Sequence, residues 1–520
     1  MTIKGITIKW PVWILLLILV GIGTYLVAPK VLGKMGFSNE VRKVAINPWS
    51  PYGAELRLNN GMAYDPESRN AKEFGLKVEF KRFDDRAPAI SALISKDIDA
   101  AWVTVDIMST EVFEGSDLAS LGISLIGFTD ISRGADVVVV DRTIKNVQDF
   151  RGKKVAYTDA SASLTLLLNL LESAKMTLDD IVPVRVASGI KAAEMFQNRE
   201  VPIAVVWSPD DGDCIAKIEG SYKFFGTDKA RNIIMDGLIV RKADLEDKAF
   251  RTWATKLMTS WLVGNAECNQ SETAKKEAAV IFDKCFTGYG VEIAMAGLNG
   301  VRLTTYEDNK NLFGLNVSFT GVTGEKLYSR MANIYSKVPD GKGSVLAKNP
   351  LSWKEISNES IIKEITTLTG VEHSAEPDVV KFDPISQSQE KVVSEATPVT
   401  AIKVIINFAV GSAELDDYAK TILDRDVMPY AEGFSGYRIR VEGNSDASGN
   451  QTEKGAAYNK RLSLQRAQSV VNYMIKTGNF DPNRFTKPIG WGFDKPIYPI
   501  ENGESESSAN RRTEISFINE

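Results

Sequence analysis

The hydrophobic pattern divides this chain before any motif is read. Between Lys9 and Lys30 no charged residue occurs, and apolar positions dominate from Trp10 to Ala28. Twenty residues at about 1.5 Å each reach roughly 30 Å, the depth of a hydrocarbon core. Residues 10–29 therefore predict one transmembrane helix, with Trp10, Trp13 and Tyr25 near its ends, where amphipathic rings settle. A cleaved leader is the rival reading; the long apolar run and Pro29 directly after Ala28 count against it. Lys4 and Lys9 precede the span and Lys30 and Lys34 follow it, so local charge orients it only weakly. Residues 1–9 are then expected in the cytoplasm.

From Val41 short β-branched runs alternate with helical periods. Strands are predicted at Lys43–Ile46, Lys77–Phe83, Ala100–Thr104, Val137–Val140, Lys154–Tyr157, Val182–Val186, Ile203–Val206 and Gly237–Val240. Helices are predicted at Ala87–Lys96, Ser163–Ala174, Ile190–Gln197, Phe250–Cys268 and Thr273–Phe286. This rhythm predicts mostly parallel sheets covered by helices. Residues 371–400 are rich in Ser, Glu, Pro and Gln with one aromatic, which predicts a linker averaging about 30 Å end to end. A second unit follows, with strands at Val404–Phe408, Tyr437–Glu442 and Thr513–Phe517 and helices at Glu414–Glu432 and Tyr458–Thr477. That order predicts a small sheet with its helices on one face.

Composition narrows the chemistry. A chain of 520 residues holds two to four domains, and a net charge of −5 leaves no electrostatic footprint for nucleic acid. His373 is the single histidine, which argues against His-ligated metal sites and a serine–histidine–carboxylate triad. Three cysteines are too few for a disulfide scaffold; Cys268 and Cys285 either pair or, with Cys214, serve as small buried apolar groups. No nucleophile–base pair or metal cluster emerges, so neither catalytic residues nor a cofactor are expected. The predicted span has no acid or base and so cannot relay ions.

The second unit carries a specific constellation: Asn444-Ser445-Asp446, Asn459, Leu462-Ser463, Arg466-Ala467, Val470, Gly490-Trp491-Gly492, Pro496 and Asn510-Arg511-Arg512. In this order and spacing it resembles the OmpA-like peptidoglycan-binding domain. Asp446 ends a predicted strand and Arg466 lies in the next helix, so a zwitterion fits between carboxylate and guanidinium. The resemblance implies that Asp446 and Arg466 hold the ammonium and carboxylate of diaminopimelate in the stem peptide, with Asn459 and Arg512 shaping the site. One departure stands out, since the family usually has Gly-His-Thr-Asp where this chain has Gly443-Asn444-Ser445-Asp446.

The first unit contains Asn47-Pro48-Trp49-Ser50-Pro51-Tyr52-Gly53, Asp97-Ile98-Asp99-Ala100-Ala101, Phe150-Arg151-Gly152-Lys153-Lys154 and Val206-Trp207-Ser208-Pro209-Asp210. Together these resemble the nitrate/taurine-type (TauA-like) solute-binding proteins of ABC importers. The resemblance implies two α/β lobes, a hinge, and a cleft lined by Trp49, Tyr52, Asp106, Ser161, Ser163, Trp207 and Asp236. Relatives often carry a Gly-Thr pair with a nearby His where this chain has Ala160-Ser161 and Leu164, so no ligand class carries over.

The expected fold class is α/β. A two-lobed periplasmic-binding-protein domain (type II-like) spans residues 41–370, with its second lobe at about 141–235 and crossings near Ala135–Val140 and Asp236–Val240. A small α+β OmpA-like domain spans residues 401–520. The expected function is that of a single-pass inner-membrane protein with periplasmic domains, a wall-tethered receptor or sensor. Its expected partners are peptidoglycan, a small solute, the inner membrane and an ABC permease. The alternative is a structural linker from membrane to wall whose central domain binds nothing. A flagellar stator role needs an acid in the membrane helix and is set aside.

Overall fold

From Arg42 onward the β-branched runs assemble into three sheets among the described residues, two in the central unit and one at the C-terminus. The computed structural model describes residues 40–368, 370, 373–377, 379–402 and 406–519, with the backbone alone of residues 2–3 and 6–7. The predicted membrane helix over residues 10–29 lies outside these residues, and among the described residues no helix is long and apolar enough to cross a membrane.

The first lobe is built from β1 (Arg42–Ile46), β2 (Val78–Arg82), β3 (Ala100–Thr104) and β4 (Ile123–Ser132). The second contains β5 (Asp136–Val140), β6 (Lys154–Thr158), β7 (Val182–Val186), β8 (Ile203–Trp207) and β9 (Tyr222–Gly226). The chain then returns to the first lobe in β10 (Met235–Arg241) and β11 (Val301–Leu303). Strand order is β11-β4-β10-β3-β1-β2 in the first lobe and β9-β5-β8-β6-β7 in the second. β5 lies inside the second sheet, so Asp136–Val140 belongs to that lobe and the crossings are Ser132–Asp136 and Gly226–Met235.

Both sheets are mixed rather than mostly parallel. β1 runs parallel to β2 and β3, and β6 parallel to β7 and β8. The strands next to the crossings pair antiparallel: β10 with β3 and β4, β11 with β4, and β5 with β8 and β9. A chain that leaves one lobe and later returns enters each sheet in the opposite sense at those points. β4 and β5 are buried along their whole length, as strands covered on both faces must be.

The C-terminal domain has β12 (Thr400–Ile402), β13 (Arg438–Gly443), β14 (Ile489–Gly490) and β15 (Thr513–Ile518) in the order β12-β15-β13-β14. Its first strand falls earlier than predicted: Val404 is outside the described residues, and Ile406–Phe408 are in no strand. The predicted helix Glu414–Glu432 is broken into Asp417–Ile422, a π turn at Leu423–Val427 and Met428–Gly433. Pro429 lacks the N–H that a continuous helix needs there, and the widened turn absorbs the defect.

The region read as a linker is docked. It carries a helix, Gln387–Glu395, opened by a Ser386–Gln389 capping box. Arg440 donates from Nη1 to the Ser394 and Ala396 carbonyls, both at 2.9 Å, and Arg438 from Nη2 to that of Asp383 at 2.8 Å. Side chains alternate along β13, so Arg438 and Arg440 face away from the helical layer and need acceptors. A polar segment supplies those acceptors through its backbone, which its composition does not reveal.

The C-terminal domain also packs on the second lobe. The Phe225 ring stacks on Tyr437 at 5.6 Å and meets Phe434 edge-on at 5.0 Å. Ser173 and Thr400 share a hydrogen bond of 2.7 Å, and the Tyr430 hydroxyl donates to Glu172 at 2.8 Å.

Candidate functional sites

In the C-terminal domain the first candidate site lies where β13 meets α1 (Glu453–Gly478), a long helix capped by Thr452. Gly443 permits the close crossing: a Cβ there would stand 1.9 Å from the Ser463 carbonyl oxygen. The strand then releases Asn444–Asp446 over the helix. Asn459 holds this loop, donating to the Ser448 and Asp446 carbonyls at 3.0 and 3.4 Å. Ser463 accepts the Gly492 N–H at 2.9 Å and fixes the Gly490–Gly492 turn beside it.

Asp446 is buried and accepts from Arg511 Nη1 at 2.7 Å and from the Ser448 N–H at 3.0 Å. Arg466 is fully buried and does not touch the Asp446 carboxylate. Its guanidinium donates to the carbonyls of Ser412 at 2.9 Å, Ala409 at 3.1 Å and Asn444 at 3.3 Å, and lies 5.2 Å over the Phe408 ring. Burial lowers its pKa to about 10; Asp446 nearby opposes the fall and Arg511 adds to it.

Arg512, predicted to shape this site, is turned elsewhere: it donates to Glu514 at 2.7 Å and to the Lys495 carbonyl at 3.1 Å. Arg511 stands in its place against Asp446. Adjacent residues entering a strand point to opposite faces, so only one of the two reaches the site. Asn510 pins the neighbouring loop, accepting the Ile497 and Tyr498 N–H groups at 2.7 and 3.0 Å.

The second candidate site is at the lobe junction. Trp49 donates its indole N–H to Asp130 at 3.2 Å, and Asp236 sits opposite Asp130 and Thr104 in the first sheet. Asp106 accepts from the Thr165 hydroxyl at 2.6 Å and the Met235 N–H at 3.3 Å. Thr165 lies on the second-lobe helix Ala162–Ser173, so this bond joins the lobes. Asp136 accepts from Ser132 at 2.7 Å and from Trp207.

Tyr52 is buried edge-on to Trp261 at 5.7 Å, with Asp236 and Asp130 near its hydroxyl. Ser161 caps the Ala162–Ser173 helix, and the Ser163 hydroxyl is buried without a hydrogen-bond partner among the described residues. Trp49, Tyr52, Asp106 and Asp236 are thus gathered, Trp207 joins through Asp136, and the two serines belong to the helix start.

Asp130 and Asp136 were not among the predicted cleft residues. Their signal is an acid inside an apolar run, Phe128-Thr129-Asp130-Ile131 and Asp136-Val137-Val138. Burial raises the carboxyl pKa of Asp106 to about 7 and that of Asp136 to about 6. Asp130 and Asp236 are raised too, by burial first and then by nearby aspartates, including each other in the case of Asp236. Among the described residues, none of the four forms an ion pair with Arg or Lys. Nor is any group of three or more His, Cys, Asp or Glu side chains spaced to hold a metal. All three thiols are free, so Cys268 and Cys285 are not paired.

Residues 407–511 match the OmpA family and residues 72–212 the NMT1/THI5 like family. Outer membrane protein A of Bordetella avium is 28% identical over 210 residues, covering 40% of this chain and 95% of that protein. Among solved structures, the periplasmic aliphatic sulphonate binding protein SsuA of Escherichia coli aligns with 67% of this chain and 98% of its own. The identity is 16% and the TM-score 0.48. The alkanesulfonate-binding protein SsuA of Xanthomonas axonopodis pv. citri, bound to MOPS, aligns with 61% of this chain and 98% of its own, at 13% identity and TM-score 0.44. This chain therefore joins an NMT1/THI5-like domain to a C-terminal domain of the OmpA family.

Proposed function

We propose that the protein is a receptor held between two surfaces. Its C-terminal domain grips the diaminopimelate stem of peptidoglycan, its central domain takes a small solute, and residues 10–29 anchor it in the inner membrane with both domains in the periplasm.

The observation that carries wall binding is Arg466, a buried guanidinium resting on three backbone carbonyls, with no carboxylate partner among the described residues. A carboxylate is the stronger acceptor, so a stem-peptide carboxylate would displace Ala409 and Ser412 once residues 409–412 lift. Asp446 uses two acceptor positions on Arg511 and Ser448, and a carboxylate has about four, which leaves room for an ammonium. The test is a pull-down on diaminopimelate-type peptidoglycan. Asp446→Ala and Arg466→Ala should each lose retention; if both are retained like the unmodified protein, the site assignment fails.

For the solute, three buried carboxyls and a partly buried fourth, none paired with Arg or Lys among the described residues, oppose an anion and suit an amine or a neutral hydrogen-bond donor. Binding rather than turnover is the proposed role, with an ABC permease as the partner that would make it an importer component. A thermal-shift screen of amines, pyrimidines, sulfonates, nitrate and phosphonates tests this. Stabilisation by an amine or a pyrimidine supports it, and stabilisation by sulfonate removes the charge argument. The structural-linker reading is favoured by the way the carboxyls already bond to Trp49, Thr165 and Ser132. A screen in which nothing stabilises the central domain would leave that reading standing.

A further inference from the structure

The two crossings between the lobes are fastened to each other by a residue that belongs to neither lobe. Arg133 lies on the outgoing crossing and Arg231 on the returning one, and Glu376, from the segment leading to the C-terminal domain, accepts from both. Arg133 Nε and Arg231 Nη2 each reach Oε1 at 3.1 Å, and Arg133 Nη2 meets Oε2. Arg133 also donates to Asn232 at 3.3 Å and to the Arg231 carbonyl, stitching the same two crossings.

The backbone around Glu376 is tied to the first lobe. The Ser374 carbonyl accepts from Arg302 at 2.8 Å and Thr305 at 3.1 Å, and the Glu376 N–H donates to Asp308 at 2.7 Å. Further along, the same segment is tied to the C-terminal domain. The Phe382 N–H donates to Asp481 at 3.1 Å, and Arg438 and Arg440 hold the Asp383, Ser394 and Ala396 carbonyls. That domain packs on the second lobe through Phe225, Glu172 and Ser173. The Asn232 N–H, on the returning crossing, donates to the Gly433 carbonyl of the C-terminal domain at 3.3 Å.

We infer that the connector is a strap across the lobe hinge, clamped at Glu376, so that the C-terminal domain and the hinge move as one coupled unit. A two-lobed binding fold opens by changing backbone angles in its crossing strands. Here such a change must also break charge-assisted bonds to Glu376 or displace the domain that holds the strap's other end. Load applied to the C-terminal domain is thereby delivered to the hinge, and hinge opening is delivered to the C-terminal domain. The inference uses neither ligand assignment, so it stands or falls separately from them.

The test is amide hydrogen exchange on the full chain, comparing the unmodified protein, Glu376→Gln, and protein cut at a specific protease site inserted beside the exposed Lys381. The reporters are segments 131–136 and 227–235, which include the amides of Arg133 and Asn232; helix α1 is the control. Both altered forms should exchange roughly tenfold faster in the reporters with α1 unchanged, the size expected for losing one charge-assisted bond. Unchanged reporters in both forms would overturn the inference. Loosening by Glu376→Gln alone would make the clamp local and remove the strap, and loosening by the cut alone would remove Glu376 as its fastening. Loss of protection in α1 as well would mark general destabilisation and overturn the assignment too.

Discussion

The two candidate sites bury acids in opposite company. At the C-terminal site Asp446 has a guanidinium at 2.7 Å, and a second guanidinium, Arg466, is buried nearby without a carboxylate of its own among the described residues. At the lobe junction Asp106, Asp130 and Asp136 are as deeply buried, Asp236 lies among them, and hydroxyl, indole and amide donors are what they meet. Burial alone therefore does not decide what a carboxyl does; the charge of its neighbours does. The first arrangement leaves a cation in search of an anion. The second makes ionisation costly for its acids and offers their oxygens to donors.

Stripping a partner from each site should separate them most sharply. Arg511→Ala leaves Asp446 buried and unpaired and should cost the C-terminal domain about 3–5 kcal/mol, the usual penalty for breaking a buried pair. Asp136→Asn removes a buried charge that has no cation to lose. It should be neutral or mildly stabilising at pH 7, by up to about 1 kcal/mol, because the amide avoids the cost of ionising there. Urea unfolding of the full chain reads both. Equal losses in the two variants would break the comparison.

Proton linkage gives the next largest effect. A carboxyl whose folded pKa is raised binds more protons in the native state than in the unfolded chain between the two pKa values. Stability therefore falls as pH rises through that window and flattens above it. For Asp106 the window runs from an ordinary value of 3.8 to about 7. It corresponds to a loss of about 4 kcal/mol if the group titrated alone. Calorimetry from pH 4 to 8 should show the central domain losing stability with rising pH, with a shallower slope in Asp106→Asn. An unchanged slope in that variant would mean that Asp106 is ionised throughout.

The parts of this contrast differ in how far the chain alone reveals them. Hydrophobic periodicity located Ala100–Thr104 and Val182–Val186 to the residue, because short β-branched runs between turns leave few alternatives. It missed Ile123–Ser132, a strand covered on both faces, where Gly127, Thr129 and Asp130 interrupt the apolar run without any alternation to read. That omission hid Asp130 as well. That Asp446 follows a strand and Arg466 lies inside the next helix was legible, because a spaced pattern of residues fixes both positions.

The choice between Arg511 and Arg512 was not legible. It depends on which of two neighbours the register of β15 turns inward, and that is set by pairing with β13. Docking of the connector was hidden for another reason. It is made largely through backbone carbonyls, which every sequence has, rather than through apolar side chains that composition would register.

That inward turn supports the smallest and most local expectation. If the C-terminal site is defined by charge facing the ligand, two adjacent arginines must behave differently although their sequence positions are nearly equivalent. Arg512 bonds to Glu514, itself 45% exposed, so Arg512→Gln should change peptidoglycan retention by no more than about threefold, the scale of a partly solvated pair. Arg511→Gln removes the guanidinium that orients Asp446 and should weaken retention by more than about tenfold, since a buried charge-assisted bond is lost. Glutamine keeps most of the side-chain bulk, so packing changes least and the difference reports charge. Equal effects would mean that both arginines serve the ligand and that the outward turn of Arg512 reverses when peptidoglycan binds.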